Sequence, residues 1–444
     1  MKYTGNKNIY GYKHSSKVEH CTEQGGRYAQ NDSCAVVEPE KIIFDISESI
    51  VPDFVYTDER RFVSVIGISK NNKIVFVRSA EQDREWELPG GTVLAGESYL
   101  DAGKREFFEE TGLHIQSARE VLKIENVYGK NKKVHSHVSV IAGIINDQDT
   151  IKCLDPEIAE CTLFEEVPGH CTFGRDYIID IISKAIDKFS VLQNQDMWGV
   201  AAKSYNEQTF ISKEDVHYGP LLPGESSLHL LPLLNDAYVL DLGCGAGCNL
   251  AALQNFGAKG GTGIDFCSAQ IKEARKNLGS SCNLIVGDFS NPSYVQKNSY
   301  DLVISVFSLT FISDLNNIFN IINQNLKPGG CVIISTDHPN RRVENSDKKE
   351  TNTNISRLQL HNWRIPNQKD VPYVRYIHSL NNLKQAMKDA GFMIDLIMEP
   401  VPLPFDKLSE APYQSAYFTA RYDEILHNPY TLILKAYKPL DNQR

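Results

Sequence analysis

No stretch of this 444-residue chain approaches the roughly 20 consecutive apolar residues that a membrane-spanning helix needs. The opening run Met1-Lys2-Tyr3-Thr4-Gly5-Asn6-Lys7 is polar and lacks the apolar centre of a secretory signal. The ten cysteines are scattered, with no CxxC pair among them, which excludes a disulfide framework or a zinc site of ordinary spacing. Positive charge is not in excess: 46 Lys and Arg stand against 56 Asp and Glu, a net charge of −10. Phosphate backbones and anionic membranes are bound mainly through basic surface, so this balance argues against both as general partners. No internal repeat is found, which leaves ordinary globular domains. The reading is a cytoplasmic enzyme with reduced thiols. Its length calls for at least two cores.

What the sequence does contain begins at residue 90. Gly90-Gly91-Thr92 opens a glycine loop, and an amphipathic helical pattern follows to a C-cap at Gly112. Leu100, Phe107 and Phe108 can turn inward, while Glu106, Glu109 and Glu110 stand at i, i+3 and i+4 and meet on one patch. A solvated acidic face is the plain alternative. Three like charges in a last helical turn, however, oppose both each other and the helix dipole. A hard divalent cation, Mg²⁺ or Mn²⁺, accounts for them better and would also take phosphate oxygens of a substrate.

Gly91, then Glu97, then Arg105-Glu106-Phe107-Phe108-Glu109-Glu110-Thr111-Gly112-Leu113 resembles an intact Nudix box, the mark of the Nudix hydrolases. The resemblance implies an α/β/α sandwich with a mixed sheet, and metal-dependent hydrolysis of a nucleoside diphosphate linked to another group. It implies that Glu106, Glu109, Glu110 and the Gly90 carbonyl hold metal, that Glu106 or Glu109 helps activate water, and that Arg105 and Glu97 brace the site. In Glu157-Ile158-Ala159-Glu160, Glu160 resembles the further acidic ligand of a late Nudix strand.

Around the box, 62–68 and 73–78 read as a hairpin turning at Lys70-Asn71-Asn72, and 119–128 and 134–146 as two more strands. His135 and His137 share a face of the last of these, as substrate contacts or plain surface histidines. Residues 175–190 form an amphipathic helix, and the polar stretch Gln193-Asn194-Gln195-Asp196 marks a boundary. The expected layout is a polar extension over 1–40, a first domain over 41–192 and a second over 196–444. In the extension, His14, His20, Cys21 and Cys34 fit no zinc spacing.

The second domain carries its own glycine loop. In Val239-Leu240-Asp241-Leu242-Gly243-Cys244-Gly245-Ala246-Gly247 a short strand runs into the loop, and Cys248 stands where a dinucleotide fingerprint requires its third glycine. The stretch resembles instead the class I S-adenosylmethionine-dependent methyltransferases, which implies a Rossmann-like doubly wound sheet. By that resemblance Asp241, Gly243, Gly245 and Gly247 bind S-adenosyl-L-methionine, Asp265 its ribose, Asp288 and Phe289 its adenine, and Ser305 borders the methyl donor. Asp196–Asn206 and His217-Tyr218-Gly219-Pro220 resemble a cap over the cofactor, with Tyr205 and Tyr218 as candidates. Residues 338–378 mix aromatic and basic groups, among them Arg341, Arg342, Arg364, Tyr373 and Arg375, and read as an acceptor lid or a solvated loop. His338 is the candidate base. The leading expectation is a bifunctional enzyme acting on a nucleotide-type small molecule and a small-molecule methyl acceptor. The alternatives are a methyltransferase with a nucleotide-binding regulatory Nudix domain, and an RNA-end processing enzyme, against which the acidic balance counts.

Overall fold

A computed structural model describes residues 40–46, 60–82, 84–128, 133–146, 148–339, 358–363 and 370–440. The four extension residues His14, His20, Cys21 and Cys34, and the lid residues Arg341, Arg342 and Arg364, lie outside the described residues. The chain divides into two compact units, Met1–Phe189 and Ser190–Arg444. Among the described residues no helix is long and apolar enough to cross a membrane.

The first unit is built on a mixed sheet. Its strands are β1 (Glu40–Ile46), β2 (Arg60–Ile68), β3 (Ile74–Ser79), β4 (Trp86–Glu87), β5 (Gly90–Thr92), β6 (Ile115–Tyr128), β7 (Lys133–Ile145) and β8 (Ile158–Phe164). The sheet runs β1-β6-β7-β2-β3-β4, with β5 paired to β2 and β8 to β3. The pairs β1–β6 and β2–β7 are parallel, and the other pairs are antiparallel. The helix α1 (Tyr99–Thr111) lies on one face. Ser98 caps its start by accepting from the Asp101 N–H at 3.1 Å, and Gly112 ends it at φ 70°. Phe107 is fully buried against Val65, Val75 and Ile141. Phe108, expected inside, is 38% exposed and packs on His114, because one residue's step of about 100° carries it past the sheet-facing stripe.

The second unit is doubly wound. After β9 (Thr209–Ile211) come β10 (Tyr238–Leu242), β11 (Gly260–Asp265), β12 (Cys282–Val286), β13 (Tyr300–Val306) and β14 (Leu326–Asp337), which lie parallel. Next are the hairpin β15 (Leu358–Trp363) and β16 (Val371–Tyr376), then β17 (Met393–Met398), β18 (Tyr413–Ser415) and β19 (Thr431–Tyr437). The sheet order is β12-β11-β10-β13-β14-β19-β17, with β19 antiparallel to both neighbours. Both faces are dry. Val303, Val332 and Ile334 point into one apolar layer, and their chain neighbours Leu302, Cys331 and Ile333 into the other. The direction of winding reverses between β10 and β13, which opens a crevice at their carboxyl ends.

The two units divide between Phe189 and Ser190, close to the polar stretch expected to mark a boundary, and that stretch is the middle of a single helix, α2 (Arg175–Gln208). Gln193 and Asn194 are buried to within 2% of exposure. Asn194 both donates to the Val374 carbonyl at 2.9 Å and accepts from its N–H at 2.8 Å, and Gln193 donates to the Pro372 carbonyl at 2.7 Å. The two amides occupy the free edge of β16 as a neighbouring strand would, so their polarity marks a partner rather than water. Asn194→Ala strands both backbone groups of Val374, a loss of about 1–3 kcal/mol. Calorimetry should show the melting transition of the second unit several degrees lower; an unshifted transition would mean that the clamp adds no stability.

Two candidate active sites

In the first unit the glycine loop is pressed onto the acidic face of α1. A side chain on Gly90 would meet the Val63 carbonyl oxygen at 2.1 Å, and one on Gly91 the Glu106 carboxyl carbon at 2.4 Å. The Gly90 N–H donates to Glu110 Oε2 at 2.9 Å. Arg105 forks onto both oxygens of Glu97, each at 2.9 Å, and reaches Glu106 at 2.9 Å and Glu109 at 3.0 Å. The structure therefore brings Gly90, Glu97, Arg105, Glu106, Glu109 and Glu110 together.

The electrostatics of this cluster are unbalanced. Arg105 holds Glu97 down to about 2. Burial pushes Glu106 up against the pull of Arg105. Glu110 is pushed up to about 8, first by burial, with Glu106, Asp155 and Glu87 adding to it and the Gly90 N–H opposing. Among the described residues no three acidic, histidine or cysteine side chains stand together as a ready-made metal cage. The donor chemistry nonetheless fits a hard cation. The ligands are carboxylate oxygens, and a positive ion would relieve the burial and repulsion that now favour a proton on Glu110.

Glu160 is not part of this cluster. Its neighbour Cys161 faces the core with Phe107, so alternation along β8 turns Glu160 to the opposite face, where it pairs with Arg78 at 2.6 Å. His137 sits 3.6 Å from Glu125.

In the second unit the loop after β10 turns through Gly243, Gly245 and Gly247, all at positive φ. It opens on a cavity of about 490 Å³ at the carboxyl ends of the strands. Asp241, Gly243, Gly245, Asp265 and Phe289 line it, as do Trp198, Tyr205 and Phe311. Asp241 is 3% exposed, its carboxylate makes no hydrogen bond among the described residues, and it is pushed up to about 8 by burial and by Asp265. Asp265 is raised to about 6 by burial, although its carboxylate accepts from the Cys267 N–H at 2.8 Å and the Gly245 N–H at 3.0 Å. His217, beside the loop, is lowered to about 4 by burial and is neutral at ordinary pH. Two carboxylates in an apolar, aromatic enclosure suit a ligand that brings positive charge to one and hydroxyl donors to the other.

Several expected residues stand off the cavity. Ser305 is fully buried and donates to the Leu242 carbonyl at 3.0 Å; Ser308, three residues on, lines the cavity in its place. Gly247 starts a helix and is glycine because a side chain there would meet Leu278 at 2.6 Å. Asp288 spends one oxygen on the Ser290 N–H at 2.9 Å. Tyr218 is core, donating to Glu225 at 2.6 Å. His338 is the largest correction. It lies one residue past the end of β14, turned to Glu399 at 3.1 Å, while Asp337 faces the cavity. Asp337, Phe307, Tyr413 and Tyr430 were not anticipated. Phe307 had no sequence signal: it takes φ 57° after β13 and stacks on Tyr430 at 5.8 Å between ring centres.

Family comparisons fall on these two places. A NUDIX domain model matches residues 58–172, and a methyltransferase domain model matches 218–396. The chain is 25% identical over 226 residues to an uncharacterized protein of Haemophilus influenzae, covering 48% of this chain and 85% of that one. It is 36% identical over 113 residues to trans-aconitate 2-methyltransferase of Escherichia coli, covering 25% of this chain and 44% of that enzyme, so it spans less than half of the enzyme's length. An S-adenosylmethionine dependent methyltransferase from Mesorhizobium loti aligns in structure with a TM-score of 0.36 at 20% identity, covering 47% of this chain and 94% of that one.

Glu110 gives a pH signature. Its folded pKa near 8 exceeds the unfolded value of 4.5, so its contribution to stability is complete below pH 4.5 and is lost as pH rises towards 8. Glu110→Gln keeps an acceptor for Gly90 and should flatten that part of the pH–stability curve of the first unit. Parallel curves for the variant and the wild type would refute the assignment.

Proposed function

From a chain that joins a Nudix domain to a methyltransferase domain, we propose a bifunctional cytoplasmic enzyme of small-molecule metabolism. One domain hydrolyses a nucleoside diphosphate-linked compound with Mg²⁺ or Mn²⁺. The other transfers a methyl group from S-adenosyl-L-methionine to a small acceptor. The observation that carries the reading is the pair of buried carboxylates, Glu110 and Asp241, each raised to about 8 beside a glycine loop and each short of a positive partner.

In the first domain Glu106, Glu109 and Glu110, with the Gly90 carbonyl, would hold the cation, which supplies charge neutralisation at the phosphate oxygens. Glu109, the most exposed of the three at 48%, would accept a proton from water. Arg105 fixes the spacing of Glu106 and Glu109 through its fork on Glu97.

In the second domain the methyl donor supplies an electrophilic sulfonium carbon. Asp265, at the end of β11, would receive ribose hydroxyls, Phe289 would cover the adenine, and Asp241 would face the positive amino-acid end. The acceptor lone pair would form the new bond to carbon as the carbon–sulfur bond breaks, the electrons of that broken bond staying on sulfur. The chain's part is to align these atoms and exclude water, which the aromatic wall of Trp198, Phe311 and Phe307 does.

One observation favours a second reading, in which the Nudix domain only binds a nucleotide: Arg105 already engages both Glu106 and Glu109. A mass-spectrometric screen with Mg²⁺ against nucleoside triphosphates, dinucleotides and nucleotide sugars separates the two. Hydrolysis of one class, reduced by at least ~100-fold in Glu109→Gln, is expected of a group in proton transfer. No hydrolysis across the panel, with nucleotide binding retained, would establish the regulatory reading.

The methyl-donor site has its own test. Asp241 is largely protonated at pH 7, and a cationic ligand lowers its pKa, so binding must release a proton. Calorimetry of S-adenosylmethionine binding in buffers of different ionisation enthalpy should show that release in the wild type and little of it in Asp241→Asn. Buffer-independent heat in the wild type would remove Asp241 from the site.

A further inference from the structure

The methyl-donor cavity lies at the carboxyl ends of the parallel strands. A second cavity, of about 500 Å³, lies at their amino ends. The first residues of neighbouring strands line it: Tyr238 of β10, Gly260 of β11, Cys282 of β12 and Tyr300 of β13. Its volume is that of a small-molecule site. It exists because one crossover is short. The helices Cys248–Asn255 and Ser268–Leu278 pack Leu250, Leu253, Ile271 and Leu278 into one face of the sheet. Between β12 and β13 the chain instead makes the single turn Pro292–Tyr294, and Tyr294 packs against the other face. A parallel sheet is ordinarily covered by helices on both faces, so this turn leaves the amino ends of β11 and β12 open.

Along β11, Ile264 faces the layer of Leu240 and Val303, and alternation turns Thr262 and Gly260 the same way. The backbone at Gly260 is not left-handed, so what matters there is the missing side chain. A Cβ would stand 3.8 Å from the Tyr238 ring and 3.1 Å from the Ser281 carbonyl oxygen. Thr262, 7% exposed, accepts from the Tyr300 hydroxyl at 2.9 Å, and its own hydroxyl hydrogen has no acceptor among the described residues. Lys259, exposed at the rim, has no carboxylate within ion-pair distance among the described residues. None of the lining residues is acidic. Asp301, next to Tyr300 in the chain, is engaged by Lys327 at 2.7 and 2.8 Å and by the Tyr238 N–H at 2.9 Å.

We propose that this cavity is a second ligand site, separate from the methyl-donor site, and that it takes a nucleoside monophosphate, with the base over Gly260 against the Tyr238 ring and the phosphate at Lys259. The Tyr238 ring is 47% exposed, and beside a floor without a side chain it suits a flat body. The spare donors of Thr262 and Lys259 call for acceptor oxygens. With a cation and no carboxylate in the lining, the charge called for is negative. A heterocycle carrying a phosphate supplies both. Hydrolysis in the first domain, as proposed above, would release a compound of this class, but the site stands on its own lining and does not require that reading.

The test titrates the common nucleoside monophosphates, and the matching uncharged nucleosides, into the full-length protein by calorimetry. S-adenosylhomocysteine is present to fill the methyl-donor cavity, and EDTA to prevent hydrolysis. At least one monophosphate should bind about tenfold more tightly than its nucleoside, the scale of a hydrogen bond to a charged group. Lys259→Ala should remove that advantage and leave the nucleoside affinity unchanged. Tyr238→Ala should weaken the monophosphate and the nucleoside alike, by about fivefold or more, as the loss of base stacking does. Both side chains are exposed, so the melting temperature of each variant should stay near wild type. Binding of no monophosphate, a nucleoside that binds as tightly as its monophosphate, or affinities unchanged in both variants overturns the proposal; the last result places the nucleotide elsewhere in the chain.

Discussion

A carboxylate withdrawn from water must find positive charge or keep its proton, and both units of this chain are arranged around that constraint. Glu110 in the first and Asp241 in the second are buried, raised to about 8, and set against a glycine loop. The loops matter because they let backbone approach where a side chain would collide. Gly91 allows Glu106 to lie against the strand, and Gly243 leaves room for Ser308, which a side chain there would meet at 2.3 Å. In each case the fold builds a place where a cation or a cationic ligand is worth more than it would be in solvent.

The same economy governs the polar groups that are satisfied. Arg105 distributes its donors over three glutamates, and Lys438, buried at 5% exposure, spends its three on Asn298, Asn323 and Leu326. Asn194 completes the hydrogen bonding of a strand that has no strand on that side. Against this background the Asp241 carboxylate stands out, buried in the cavity wall with no hydrogen bond among the described residues.

Much of this was legible before any coordinates. The box helix, its cap at Gly112 and its three glutamates follow from spacing within 24 residues, and a helix's geometry is fixed by its own backbone. The strand–loop–helix at 239–255 is equally local. So are the alternating layers of the second sheet, because neighbouring residues on a strand must face opposite ways. The division of labour between two domains followed from these two local motifs and from length.

What the polar run at 193–196 faces was not legible, because sequence shows that a side chain is polar, not whether water or a backbone edge receives it. Phe108, Glu160 and His338 each lie one position from the residue that does face inward, Phe107, Cys161 and Asp337. Phase at that resolution is set by packing across elements rather than by composition along one. The sequence by itself determined where the two candidate sites lie, since the glycine loops and the carboxylates beside them are contiguous. Tertiary structure alone decided how the hairpin side of the cavity is made. Asp337, Arg375, Thr310 and Tyr430 are far apart in the chain and meet only because the sheet, the hairpin and the helix that holds it converge, and no local pattern encodes that convergence.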